Sequence, residues 1–235
     1  MITLTNQIPL HSTSSRHLLH HKPWLSPNTT QTLALAELNG LEVVLDPDFQ
    51  MGVTNKTPEF LAKFPLGKVP AFESADGSFH LTEGQAIARY VADSGPKAAQ
   101  LLGADPQTRA LIDQWACFAE QEFGTHLLPP MLMALFKAIP FDEARYDQCA
   151  ANFERALKRL DVALQGGKKF LVGDQLTFAD VMVLGPLSLA TKVLVDAEMR
   201  KAAPNVEGYL RGLLEIPELK KAFGELVLIE TRVKA

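Results

Sequence analysis

The residue types best placed to do chemistry lie in one short stretch, beginning at Lys68-Val69-Pro70-Ala71-Phe72. Proline has no N–H and biases the residue before it toward extended backbone. Val69 can therefore turn its own N–H and C=O toward a ligand instead of a neighbouring strand, which is recognition by strand addition. An X-Pro bond used in this way is a candidate for the cis isomer. Shortly after it, Leu81-Thr82-Glu83-Gly84-Gln85-Ala86-Ile87 opens an apolar-periodic helix that continues through Tyr90 and Val91. The unsatisfied N–H groups and positive dipole end of such a helix attract a carboxylate. A backbone edge followed by a helix start suits an extended, acid-bearing tripeptide. Glu83 could accept an amine of that guest, or could simply complement the dipole.

These groups must be positioned by a small α/β layer. Asn28 to Leu38 reads as a first helix stopped by Asn39-Gly40, and Leu41-Glu42-Val43-Val44-Leu45 as a strand. Thr57-Pro58-Glu59 opens a second helix with an N-cap hydroxyl and proline at the first position, leading to Phe60, Leu61 and Phe64 before Pro65. Ala71-Phe72-Glu73 and Phe79-His80-Leu81 flank Asp76-Gly77, a hairpin signal. The order helix, strand, helix, strand, strand, helix matches a thioredoxin-like layer that lacks only its opening strand.

Ser94-Gly95-Pro96 through Gly103 reads as a linker, after which the pattern is helical throughout. Asp105-Pro106 restarts helix, with Leu111, Ile112, Trp115 and Phe118 at helical spacing, and Pro129-Pro130 is expected to interrupt it. A long amphipathic helix begins at Asp142 and ends at Gly166-Gly167. Thr177 and Asp180 form a capping box, with Leu176 and Val181 at the staple positions. Two more helices are expected, stopped near Pro204 and Pro217.

The chain has 235 residues, 47% of them hydrophobic, enough for a sizeable core. A formal net charge of −4 argues against a duplex nucleic-acid binder, and no apolar run is long enough to span a membrane. Cys117 and Cys149 sit in helical patterns with apolar neighbours, so buried thiols rather than a disulfide are expected, in a reducing cytosolic setting. No Cys-x-x-Cys pair is present. In the first segment His17 and His21 stand four apart, but no third ligand is visible and Pro23 cuts the helix short, so no metal is expected.

A thioredoxin-like unit with Val69-Pro70 and Thr82-Glu83-Gly84-Gln85-Ala86-Ile87, joined to a helical unit with a buried Thr-x-x-Asp cap, resembles the glutathione transferase fold. Within that superfamily it is most similar to the N-terminal region of elongation factor 1 gamma, fungal forms above all. The similarity is carried by Thr54-Asn55-Lys56-Thr57-Pro58-Glu59-Phe60-Leu61, by Lys63 to Glu73 and by Phe170-Leu171-Val172-Gly173. It implies an α/β thioredoxin-like N-terminal domain over 27–95 and an all-α C-terminal domain over 105–235. Residues 1–26 form an atypical segment, expected to be poorly ordered. It reads as a basic tail, a targeting peptide or an unusual gene start, or as an opening strand at Ile2-Thr3-Leu4-Thr5 followed by an insertion.

The resemblance further implies glutathione as co-substrate, held by Lys68, Val69, Pro70, Glu83 and Gly84. Gly84 stands where the family usually has a hydroxyl against the γ-glutamyl carboxylate. Ser26 is the hydroxyl nearest the thiol-activating position, and it is equally the N-cap of the first helix. Trp115 and Phe118 imply an acceptor pocket, or plain core. Two functions of different class follow. One is conjugation of glutathione to a small electrophile, as in accessory enzymes of fungal secondary (polyketide) metabolism. The other is a non-catalytic elongation factor 1 gamma-like scaffold holding translation exchange-factor subunits. The chain ends at Ala235, without the gamma subunit's charged linker and second domain, which favours a freestanding protein. A cytoplasmic homodimer is expected from the fold.

Overall fold

Proline at the first helical position and a capping oxygen just before it set several of the helix starts. In the computed structural model, which describes the backbone of residues 2–5 and all of residues 26–234, helix α1 is Pro27–Asn39 and α2 is Pro58–Lys63. Ser26 and Thr57 are their N-caps, each hydroxyl accepting a backbone N–H at 3.2 Å, from Thr29 and Phe60 respectively. Gly40 ends α1 with φ of 65°, a left-handed conformation that glycine adopts without strain.

The chain divides into two units, Met1–Pro96 and Lys97–Ala235. The first holds a sheet of four strands: β1 Ile2–Thr5, β2 Glu42–Leu45, β3 Phe72–Ser74 and β4 His80–Leu81, in the order β2-β1-β3-β4. Ile2–Thr5 is thus the opening strand, as one of the readings of residues 1–26 had it, and this corrects the expectation of a layer without one and of an unordered start for these residues. Residues 6–25, with His17 and His21, lie outside the described residues. Strand β1 runs antiparallel to β2, with Ile2 opposite Leu45, and parallel to β3, with Ile2 opposite Phe72. A tight strand–helix–strand link would make β1 and β2 parallel; residues 6–25 give enough chain to enter α1 from either end of the strand.

The hairpin from β3 to β4 closes as expected at Asp76-Gly77. Gly77 has φ of 69°, and Ser74 and Ser78 hydroxyls and the Ser78 N–H converge on the Asp76 carboxylate. These bonds, Ser74 foremost, hold that carboxyl at about 2. Helix α3, Gly84–Asp93, packs Ile87, Ala88 and Val91 toward the interior, as α1 does Ala34, Leu35 and Leu38. A smaller cluster of Phe60, Phe64 and Ala71, with Phe49 and Val69 against it, fills the space beside α2.

The second unit is helical: α4 Ala98–Leu102, α5 Pro106–Phe118, α6 Thr125–Pro130, α7 Glu143–Ala163, α8 Phe178–Ala190, α9 Ala197–Ala202, α10 Pro204–Leu214 and α11 Pro217–Phe223. Three expectations are corrected. The stretch read as a linker contains α4. Pro129-Pro130 does not interrupt the chain's helical course: wider π-turns at Ala119–Gly124 and Met131–Leu135 flank α6, which contains both prolines. Pro204 and Pro217 open α10 and α11 instead of only stopping what precedes them, so three short helices follow α8.

Thr177 and Asp180 form the capping box of α8. Asp180 is fully buried and accepts from the N–H groups of Leu171 and Thr177 at 2.9 Å each, from Thr177 Oγ1 at 3.0 Å and from Tyr209 Oη at 2.8 Å. Burial pushes this carboxyl above the ordinary range against the pull of those bonds, and burial beside it pushes the Tyr209 hydroxyl well up. Cys149 is buried as expected; Cys117 is exposed, because it sits on the outer face of α5 while Ile112 and Trp115 take the inner one. Neither is in a disulfide.

Candidate binding site

Val69 enters the site from a loop fixed by a buried side chain. Asn55, 4% exposed, donates from Nδ2 to the Gly67 carbonyl at 2.6 Å, and its Oδ1 accepts the Gly52 N–H at 2.6 Å. Gly67 has φ of 58°, and a Cβ there would lie 2.8 Å from the Asn55 carbonyl oxygen, so only glycine fits. Two residues later the Val69–Pro70 bond is cis. The Val69 side chain packs on Phe60, Phe64 and Ala71, while among the described residues no backbone group pairs with its N–H or C=O. An anchored side chain with an unused peptide edge is what strand addition needs. Lys68 beside it is exposed, with no ion-pair partner among the described residues.

The second half of the site is the start of α3. Glu83 is its N-cap, exposed, with φ of 66° and ψ of 116° and no side-chain capping bond. A non-glycine residue in that region carries local strain and is held there by its surroundings. The first-turn N–H groups of Gly84 and Ala86 have no backbone acceptor among the described residues. Gly84 is buried, and the reason is α1: a Cβ on Gly84 would fall 2.4 Å from Nδ2 of Asn28 and 2.5 Å from its Cβ and Cγ. The amide of Asn28 therefore occupies the position of a side chain at 84, and no hydrogen-bond partner engages it among the described residues.

The far end of α3 repeats the arrangement. Asn39, 4% exposed, donates to the carbonyls of Val91 at 3.2 Å and Ala92 at 3.1 Å, and a Cβ on Gly95 would lie 2.4 Å from its Cγ. About three helical turns separate Asn28 from Asn39, and Gly84 and Gly95 bracket α3 at the same sequence separation.

Ser26 caps α1, and its Oγ lies 3.0 Å from Thr29 Oγ1. Capping uses a lone pair of the Ser26 hydroxyl; its proton is left for an outside acceptor when Thr29 Oγ1 is the donor in the contact between them. The described structure thus brings Val69, Pro70, Glu83, Gly84, Lys68 and Ser26 into one unit. Trp115 and Phe118 belong to the other. Trp115 is 5% exposed, with Phe118 against it at 5.2 Å between ring centroids and the Arg159 guanidinium 4.9 Å over its ring. Phe118 is half-buried and continues the row to Phe123 at 5.3 Å. Among the described residues no group of three metal-ligating side chains exists.

Three positioning residues escape a reading of the sequence. Asn39 is legible only as part of a helix stop, Asn55 only as part of a resemblance motif, and Asn28 as a helix opening. Their signal is the glycine each one fits, at Gly95, Gly67 and Gly84, and that pairing exists only in three dimensions.

Comparison with known proteins follows the same two units. The sequence pattern of the glutathione S-transferase N-terminal domain matches residues 18–93, and that of the glutathione S-transferase C-terminal domain matches residues 123–217. The chain is 45% identical over 200 residues to the glutathione S-transferase-like protein LUC7 of a Fusarium species, covering 85% of this chain and 90% of that one. It is 36% identical over 187 residues to elongation factor 1-gamma-A of Xenopus laevis, covering 78% of this chain and 40% of that longer protein. Among solved structures, glutathione S-transferase I from maize, in complex with an atrazine glutathione conjugate, superposes with a TM-score of 0.73 at 25% identity, covering 84% and 92% of the two chains.

Proposed function

This chain belongs to the glutathione S-transferase superfamily, and on that premise we propose that it binds glutathione in its first unit and conjugates it to an apolar electrophile. The observation that carries the reading is the unused peptide edge of Val69, on a loop locked by Asn55, in the same unit as the open first turn of α3. The cysteinyl backbone of glutathione pairs with the Val69 N–H and C=O. The γ-glutamyl carboxylate takes the Gly84 N–H and the positive end of α3, the γ-glutamyl amine faces Glu83, and Lys68 neutralises the glycyl carboxylate.

With Thr29 Oγ1 as the donor in their contact, Ser26 caps α1 and donates its own proton in a hydrogen bond to the thiolate, lowering the thiol pKa. The sulfur lone pair then forms a C–S bond at the electrophilic carbon, and the displaced electron pair leaves with the leaving group or is protonated from solvent after addition. In the second unit, half-buried Phe118 with Trp115 against it is proposed as apolar surface for an acceptor. The resemblance to fungal transferase-like proteins is the basis for proposing a place in secondary metabolism, with a polyketide-like electrophile as acceptor; relatives from Fusarium and Gibberella moniliformis carry the name glutathione S-transferase-like protein. The protein is further proposed to act in the cytoplasm. Among the described residues no helix is long and apolar enough to cross a membrane.

Calorimetric titration with glutathione tests this. The wild type is expected to bind, Val69→Ala to bind within about threefold because only backbone is used, and Val69→Pro to lose at least about tenfold with the N–H removed. Absence of any binding heat in the wild type would sink the reading. With 1-chloro-2,4-dinitrobenzene as acceptor, Ser26→Ala is expected to lower kcat/KM by about tenfold to a hundredfold.

A second reading rests on the elongation factor 1-gamma-A similarity together with a glycine at the carboxylate position. In that case the unit is a scaffold without chemistry. It predicts co-precipitation of the nucleotide-exchange subunits of elongation factor 1 with the tagged chain, and no binding heat with glutathione.

A further inference from the structure

We infer that Asn28, projecting from α1, is the side-chain donor to the γ-glutamyl carboxylate of glutathione. In this chain it takes the part of the hydroxyl that the transferase fold is expected to carry at position 84. The inference deepens the proposed glutathione site and rests on it.

Three observations lead there. The amide nitrogen of Asn28 would sit 2.4 Å from a Cβ on Gly84, closer than any real Cβ contact, so the amide fills the volume from which a side chain at 84 would reach the ligand. The amide is not consumed elsewhere: Asn28 is only partly buried, and the bond it makes uses its backbone carbonyl, which accepts the Thr32 hydroxyl at 2.9 Å. Asn39, the equivalent residue at the other end of α3, is consumed, donating to two α3 carbonyls. At the C-terminal end of a helix the NH2 of an asparagine amide finds carbonyl acceptors; at the N-terminal end, with Nδ2 turned toward Gly84 as it is here, that NH2 meets only N–H donors while Oδ1 stays free to accept. An N–H donor beside the N–H of Gly84 calls for an acceptor from outside, and an anion satisfies both at once.

The exchange also explains why glycine stands at 84. Serine there would collide with Asn28, so the chain can have the amide or the hydroxyl but not both. Position 84 and position 28 form one functional unit split across two helices.

A ligand–protein cycle tests the assignment, with glutathione and γ-aminobutyryl-cysteinyl-glycine, which lacks only the γ-glutamyl α-carboxylate, as probes in calorimetry. Wild type is expected to bind the truncated peptide at least about tenfold more weakly than glutathione. Asn28→Ala is expected to bind glutathione about tenfold more weakly than wild type and to discriminate between the two peptides by less than about threefold. Gly84→Ser alone is expected to lower the melting temperature. Asn28→Ala with Gly84→Ser is expected to recover both the melting temperature and most of the glutathione affinity, the hydroxyl now doing the amide's work. Asn28→Ala retaining full discrimination would overturn the inference and leave the glutathione site standing. So would a double variant that recovers its melting temperature but binds no better than Asn28→Ala. A wild type that binds neither peptide would overturn the proposed function itself.

Discussion

Asp180 shows what one residue can concentrate. It receives four hydrogen bonds, from two backbone N–H groups, the Thr177 hydroxyl and the Tyr209 hydroxyl, with none of its surface exposed. Replacing it by alanine would leave those donors buried without an acceptor, which costs far more than the bonds themselves contribute. Asp180→Ala is expected to lose about 3–5 kcal/mol of stability in urea unfolding. Half of this site was legible: the Thr177-x-x-Asp180 spacing gives the cap, because capping is local. The other half was not, because Leu171 and Tyr209 reach Asp180 from loop and from α10, through packing that no spacing rule encodes. The binding residues divide the same way. Val69 and Pro70 were readable since proline acts on its neighbour, whereas Asn55 and Asn28 act on residues far away in sequence.

At the scale of elements, the segment after α11 is tied down at both ends of the pH range. Asp196 caps α9 through the Met199 N–H at 3.0 Å and holds Arg232 at 2.7 Å. Although burial alone would raise it, these bonds hold its carboxyl below the ordinary 3.8. A depressed carboxyl contributes stability that is present above 3.8 and is lost as pH falls through the lower folded value. Arg232→Ala is therefore expected to shrink the acid-side loss, seen by following the unfolding midpoint downward from pH 4. Tyr146 donates to the Val233 carbonyl at 2.8 Å, and burial raises its hydroxyl from 10.0 to about 12. A raised phenol contributes stability that is intact below 10 and disappears between 10 and 12, so Tyr146→Phe should flatten that alkaline decline. Arg200 completes the attachment with bonds to the carbonyls of Val195 and Ile229. None of this was readable in advance, since residues 224–234 have no period of their own. Pro129-Pro130 misled for a related reason: the rule that proline breaks helices assumes a neighbouring turn that cannot widen, and here the turns on either side are π-turns.

At the scale of the molecule, the two-unit plan was legible because hydrophobic periodicity changes from mixed to helical across the stretch from Ser94 to Gly103. The direction of β1 was not, because a four-residue strand carries too little pattern to specify its partners. The first unit also leaves apolar side chains in water: Met51, Val53 and Leu66 are 66%, 61% and 67% exposed. Asn55 ties Gly52 to Gly67, so these three flank one bridge. Burying such a set in a symmetric contact would gain on the order of 25 cal/mol per Å². Sedimentation is expected to show a particle of twice the chain mass, with Leu66→Lys shifting it toward the single chain.

The asparagine–glycine pairs at the two ends of α3 impose an order on change. A scan altering one position at a time would score Gly84 and Gly95 as intolerant whatever their contribution to binding, because each is walled in by an α1 asparagine. The same substitutions become passable once residue 28 or 39 has been trimmed. Putting a side chain at 84 of this chain therefore requires trimming residue 28 first or in the same step, and a library that varies 28 and 84 together is expected to return folded variants at 84 that a single-site library lacks.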